Sequence, residues 1–130
     1  MSSQDRLWHP TLVLAIAADI IVVAGTAFSI WARVVLGRNW SAEVTFKRDH
    51  ELIESGPYAL ARHPIYTGLL AMGLGTVLYY GRVIGLVVLV GACGALWWKA
   101  RQEERIMSQH FPDAYADYKA RVRAIIPFVL

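Results

Sequence analysis

Arg62 and His63 stand side by side immediately before Pro64, and Pro64 opens a long apolar run. An ionisable pair held at the mouth of an apolar helix is costly unless it binds something. The stretch around it, Gly56-Pro57-Tyr58-Ala59-Leu60-Ala61-Arg62-His63-Pro64-Ile65-Tyr66-Thr67-Gly68, adds two tyrosines and a second proline. Proline turns the residue before it away from helix and is itself tolerated at a first helical position. The stretch therefore predicts a turn, a short helix, and a new helix starting near Pro64. A second charged patch, Lys99-Ala100-Arg101-Gln102-Glu103-Glu104-Arg105, follows the apolar run. Alone, it reads as a solvated helix face, with Lys99 and Glu103 at a favourable i,i+4 spacing. No metal site is expected: the four His show no ligand spacing, and Cys93 is the single thiol. Cys93 reads as a small buried hydrophobe, and His9 and His110 as incidental.

The elements that position these patches are membrane-like. Apolar residues make up 56% of the 130, and the mean hydropathy is +0.40, high for a soluble domain. The chain length fits one domain. A first span is expected over about 11–32, with Asp19 near its middle. A carboxylate at that depth normally faces a bundle interior or a polar cavity. Asp19 is thus either a partner for a cation or polar ligand, or a hydrogen-bonded packing residue. No signal peptide is evident, since the run is too long for an h-region and lacks a small-residue cleavage site. The 37–64 segment is a long polar loop, and loops of that length in small domains are usually functional or disordered. Its Phe46, Leu52, Ile53 and Tyr58 argue against disorder.

From Ile65 to Trp98 the chain is apolar apart from Gly81-Arg82. As one helix this run would reach roughly 50 Å, against a hydrocarbon core of about 30 Å. It must fold back, and Tyr80-Gly81-Arg82 is the hinge, giving spans over about 65–80 and 83–98. Small residues at i,i+4, Ala71 with Gly75 and Gly91 with Ala95, suit close helix approach in lipid. The second helix continues past Trp98 and stops near His110. Pro112 starts another helix, in which Tyr115, Tyr118 and Val122 share one face. The fold class is all-α: a single polytopic domain with three transmembrane helices, a site loop over 37–64 and a helical tail over 99–130.

Three spans place eleven of the 13 Lys and Arg on one side, with only Arg6 and Arg82 on the other. By the positive-inside rule the first side is cytoplasmic. That clustering at membrane ends, with a net charge of +3 and a pI near 9.2, is not the pattern of a nucleic-acid binder. The two polar patches then share one cytoplasmic mouth.

Arg62-His63-Pro64-Ile65-Tyr66-Thr67-Gly68, a hydrophobic hairpin, Glu103-Glu104, Phe111-Pro112-Asp113-Ala114-Tyr115-Ala116-Asp117-Tyr118 and a closing Ile126-Pro127-Phe128 together resemble the isoprenylcysteine carboxyl methyltransferase family. The resemblance runs from about Leu36 onward and implies an integral membrane enzyme using S-adenosylmethionine and releasing S-adenosylhomocysteine. It implies that His50, Glu51, Leu52, Ile53, Tyr58, His63, Pro64, Ile65 and Tyr66 border the cofactor. Glu103 would hold its methionine amino group. The family places an Arg about one turn before that Glu to hold the substrate carboxylate; here Lys99 occupies the position and Arg101 lies close by. Members of the family usually carry more spans in front.

The chemistry suits these residues. A sulfonium methyl is already activated, and a carboxylate acceptor is ionised at neutral pH, so no general base is required. Arg62, Lys99 or Arg101 would orient the acceptor, and Glu104 stands with Glu103 as a candidate for the ammonium. The expected partners are the bilayer and a lipophilic or prenylated acceptor. Two alternatives stay open: an N-methyltransferase for phospholipid or other amines, and a small transporter or adaptor centred on Asp19.

Overall fold

The computed structural model describes residues 5–37 and 54–126. Four α-helices follow in order: α1 (Leu12–Leu36), α2 (Pro64–Tyr80), α3 (Val83–His110) and α4 (Pro112–Arg121), with a short 3-10 turn over Gly56–Ala59. No strand occurs among the described residues.

The helix boundaries fall where the sequence punctuates the chain. Thr11 caps α1, its hydroxyl accepting from the Leu14 N–H at 3.1 Å, the usual way an orphan N-terminal donor is satisfied. Helix α1 runs on to Leu36, one turn beyond the expected span, and ends at Gly37. Pro64 opens α2 and Pro112 opens α4, where the missing N–H costs nothing. Gly81 ends α2 in the left-handed region at φ 61°, its N–H reaching the Val77 carbonyl at 2.8 Å, and the chain turns directly into α3. The hinge expected at Tyr80-Gly81-Arg82 is therefore the observed one.

Helices α1 and α2 are tightly paired along their small residues. A β-carbon on Gly25 would lie 2.7 Å from the Gly68 carbonyl oxygen and 2.8 Å from the Ala71 Cβ. Gly75 is equally close to the Ala18 carbonyl and Val22. Ser29 bridges the pair by donating to the Ile65 carbonyl at 3.1 Å. Helix α3 is held more loosely. Between α2 and α3 lies an apolar groove of about 600 Å³, lined by Leu69, Gly73, Val77, Gly85, Leu89, Ala92 and Leu96 among others. Gly91 has open space around it, and Ala95 is exposed, so only the α1–α2 half of the expected small-residue packing is realised within the chain.

Two helices, α1 and α3, are long and apolar enough to cross a membrane; α2, at 17 residues, is shorter. Leu12, Val13, Ile16, Ile20 and Val23 of α1, and Ile84, Val87, Val88 and Val90 of α3, are exposed, as lipid-facing side chains would be. Cys93 is exposed rather than buried. Asp19 also lies on the exposed surface of α1 and not against α2, so it enters no bundle interior within the described residues.

At one end of the bundle the polar segments form a small core of their own. Tyr58, Tyr115, Tyr118 and Val122 pack with Ala32, flanked by Val35, Leu36, Ile65, Met107 and Phe111. This is the shared face expected for α4, and it is what brings the tail back over the start of α2.

Candidate active site at the helix ends

Three chain segments build the site. The first is the 54–63 approach to α2. Pro57 begins a 3-10 turn, which buries Pro57 and Tyr58. Arg62 and His63 follow in a bend, and their N–H groups would be orphaned there, because Pro64 begins the next helix. Instead they donate to the carbonyls of Arg123 and Ala124, both at 2.8 Å. Thr67 adds a hydroxyl bond to the Ile125 carbonyl. The second segment, the tail after α4, thus clamps the loop through its backbone. Tyr118 tightens the same junction by donating its hydroxyl to the Tyr58 carbonyl.

The third segment is the end of α3 that emerges beyond Trp98. Consecutive residues on a helix diverge by about 100°, and Glu103 and Glu104 accordingly do different things. Glu104 is buried, at 4% exposure. Its Oε1 lies 2.7 Å from Arg62 Nη1 and 3.1 Å from His63 Nε2, and its Oε2 lies 3.7 Å from Lys119 Nζ. The 2.7 Å approach to Arg62 is an ion pair whose N–H is not aimed along the contact. Arg62 Nη1 and Nε are consequently buried donors without a hydrogen-bond partner among the described residues. Glu103 is more open: it accepts from the Tyr66 hydroxyl, and its Oε2 is 3.6 Å from His63 Nδ1. The His63 and Tyr66 rings stack in parallel with centroids 5.5 Å apart.

The electrostatics follow from this geometry. Burial alone would push the His63 imidazole down, but its hydrogen bonds to Glu103 and Glu104 and their charges outweigh that and hold it above its ordinary value. Burial would likewise push Glu104 up, yet its bond to His63 and the charges of Arg62, His63 and Lys119 hold it below the usual carboxylate range. The hydroxyls of Tyr58, Tyr115 and Tyr118 are pushed up by burial, so they stay protonated, and Tyr118 is a donor.

Of the residues singled out from sequence, Tyr58, Arg62, His63, Pro64, Ile65, Tyr66, Glu103 and Glu104 gather at this one end. Lys99 joins them, its ammonium 5.8 Å from the centre of the Tyr66 ring. Arg101 does not; its guanidinium sits 5.5 Å over the Trp97 ring on an exposed side of α3. His50, Glu51, Leu52 and Ile53 lie outside the described residues. The sequence reading missed Lys119, Arg123 and Ala124. Lys119 had a signal, one turn after Tyr115 on a helix expected to pack inward. The two carbonyl acceptors had none, because backbone groups carry no residue-type signature.

The donor set fits an amphoteric ligand. Arg62, ion-paired to Glu104 through Nη1, places a guanidinium beside the site that suits an anionic group, and the partly exposed Glu103 carboxylate offers an acceptor to an ammonium. Glu104 is already shared among three cationic side chains and serves to hold Arg62 and His63 in place.

The described residues, helical and with two helices long and apolar enough to cross a membrane, have the character of an integral membrane protein with a buried charged cluster at one helix end. A family model described as phospholipid methyltransferase matches residues 13–114, and the chain belongs to that family. It is 29% identical over 126 residues to a protein-S-isoprenylcysteine O-methyltransferase of Saccharomyces cerevisiae, covering 92% of this chain and 51% of that protein. It is 31% identical over 127 residues to a nickel-cobalt-cadmium resistance protein of Alcaligenes xylosoxydans xylosoxydans, covering 92% and 54%. A solved structure of a eukaryotic intramembrane Ras methyltransferase, an isoprenylcysteine carboxyl methyltransferase, superimposes with a TM-score of 0.82 at 24% identity, over 89% of this chain and 43% of the other. That likeness establishes the fold. The chain spans about half the length of the curated relatives it matches. The isoprenylcysteine methyltransferase resemblance carried by residues 62–68, 103–104 and 111–118 is in line with these relatives.

Proposed function

We propose that the chain is a membrane methyltransferase that uses S-adenosylmethionine and methylates a lipophilic carboxylate of the prenylated-cysteine type. The observation that carries the reading is the meeting of His63 and Tyr66 with Glu103, and of Arg62 with the adjacent Glu104, across a membrane hairpin. Bound there, S-adenosylmethionine would supply a methyl group on a sulfonium centre. Glu103 accepts from an ammonium, while the Arg62 guanidinium attracts a carboxylate. Tyr66 and His63 hold the Glu103 carboxylate in position. Lys99, over the Tyr66 ring at the membrane end of the site, orients the acceptor as a point charge. No side chain is needed as a base, because a carboxylate acceptor is ionised at neutral pH.

In this reading α2 is the third crossing. Its 17 residues span about 25 Å, short of a core of about 30 Å, so the bilayer thins or the flanking Tyr79 and Tyr80 anchor its end. The site end faces the cytoplasm, on the side carrying eleven of the 13 Lys and Arg.

The family description favours one other reading, transfer to the amine of a phospholipid headgroup. Transfer of radiolabelled methyl from S-adenosylmethionine into a prenylcysteine and, separately, into an aminophospholipid discriminates the two. Label released as methanol by mild base is an ester and upholds the carboxylate reading. Base-stable label in the lipid overturns it in favour of the amine. Absence of S-adenosylmethionine binding by calorimetry overturns both.

A further inference from the structure

The opposite end of the bundle carries a second polar cluster that the methyl-transfer site does not use. There the segment before α1 lies against the α2–α3 turn. The Leu7 N–H donates to the Gly81 carbonyl, and Arg6 faces Arg82 in an isolated antiparallel bridge. Directly opposed residues of an antiparallel pair project from the same face, and like charges there repel. Backbone pairing thus brings two arginines to the same place in the fold. Arg6 Nη1 lies 3.0 Å from His9 Nδ1, which gathers a third basic side chain.

Neither Arg has an acidic partner among the described residues, although Asp5 is adjacent in sequence. Arg6 Nε and Arg82 Nη1 are buried donors with no hydrogen-bond partner among the described residues, the costly condition for a charged group. Arg82 also immediately precedes the first turn of α3, whose dipole adds positive potential at the same place. Guanidinium forks match the oxygens of a phosphate group in pairs.

The setting is a membrane surface. Trp8 donates its indole N–H to the Leu78 carbonyl at 2.8 Å, and Tyr79 and Tyr80 pack edge-on beside it in sequence, the aromatic composition of an interfacial belt. Helix α2 separates this cluster from Arg62 and His63 by its full 17 residues, about 25 Å.

We propose that Arg6 and Arg82 form a binding site for a phosphate group at the end of the bundle remote from the methyl-transfer site. A lipid headgroup and free phosphate both present that chemistry. The test uses the purified chain in neutral detergent, read by native mass spectrometry. Phosphatidylglycerol is titrated against diacylglycerol with the same acyl chains, which lacks the phosphate. Phosphatidylglycerol should be retained as one equivalent and diacylglycerol not. The double variant Arg6→Gln/Arg82→Gln should retain it at least about tenfold more weakly, while Arg105→Gln, an exposed arginine elsewhere, leaves it unchanged.

Equal retention of the two lipids, or of phosphatidylglycerol by wild type and double variant, overturns the proposal. Should the double variant lose its helical circular dichroism, Arg82→Lys is read instead, which keeps the charge but removes the fork. A loss of about threefold or more upholds the site, and no loss overturns it. Inorganic phosphate is then added as competitor. Displacement of the lipid identifies free phosphate as sufficient, and retention identifies the headgroup with its glycerol backbone; either result upholds a phosphate site.

Discussion

His63 Nε2 and Glu104 Oε1 meet at 3.1 Å although they are 41 residues apart in the chain. That single contact joins the loop before the membrane hairpin to the helix that leaves it. Glu104 does the joining from a buried position, with Arg62 on the same oxygen. Removing one member of a buried, charge-compensated set leaves the others unpaired, and costs about 3 kcal/mol or more. Glu104→Gln should therefore lower stability by roughly that amount, measured as the midpoint shift on denaturation in mixed micelles. A shift under about 1 kcal/mol would mean that water or the detergent reaches Arg62 and His63 freely.

The same contact sets a pH dependence with a definite sign. His63 is held above its ordinary value of 6.5 in the fold. Its contribution to stability is fully present below about 6.5 and is lost as pH rises through the raised folded value. Glu104 is held below its ordinary value of 4.5. Its contribution is present above about 4.5 and is lost as pH falls through the depressed value. Thermal midpoints should thus decline as pH rises above about 6.5, and His63→Gln should flatten that limb and also weaken the acid limb, because His63 is one of the groups that lowers Glu104. An unchanged alkaline limb in the variant would show that the two carboxylates do not hold His63 protonated.

The α1–α2 contact gives a packing prediction with an internal control. A β-carbon at Gly68 would collide with the Ser29 hydroxyl and the Gly25 carbonyl oxygen, backbone that cannot move aside. Gly68→Ala should cost about 2 kcal/mol by overpacking. Gly91→Ala, where nothing lies within 4 Å, should be neutral or gain a few tenths of a kcal/mol from helix propensity. Equal losses at both sites would mean that α3 is packed through Gly91 against something in the membrane.

Those two glycines also mark how far the sequence could be read. Pro64, Gly81 and Pro112 announce the helix boundaries because each acts through its own backbone geometry. The Tyr115, Tyr118 and Val122 face was visible because helical periodicity is local. By contrast Ala71 with Gly75 and Gly91 with Ala95 look alike in sequence, yet among the described residues only the first pair packs closely on another helix, Gly91 having open space around it. Which face is used depends on tertiary placement. Asp19 was expected to face a bundle interior and instead lies on the exposed side of α1, for the same reason. Glu103 and Glu104 were legible as a pair, but their division of labour was not: one helical step puts Glu104 beneath Arg62 and leaves Glu103 at the surface. The clamp from Arg123 and Ala124 was hidden entirely, since carbonyls are common to every residue.

That division of labour predicts opposite phenotypes for two neighbouring substitutions. Glu103 is partly exposed and keeps acceptor capacity beyond its Tyr66 bond, so Glu103→Gln should barely change the melting midpoint. It should weaken S-adenosylmethionine binding by about tenfold or more, because a charge-assisted bond to an ammonium becomes a neutral one worth about half as much. Glu104→Gln should destabilise the fold, with its effect on binding following the loss of structure. Arg101→Gln, at a residue stacked on Trp97 away from the cluster, should change neither quantity. Calorimetric titration of each variant below its own melting range checks all three. If Arg101→Gln weakens binding as much as Glu103→Gln does, the ligand lies along the outer face of α3, and the cluster around His63 is a structural joint instead of a cofactor site.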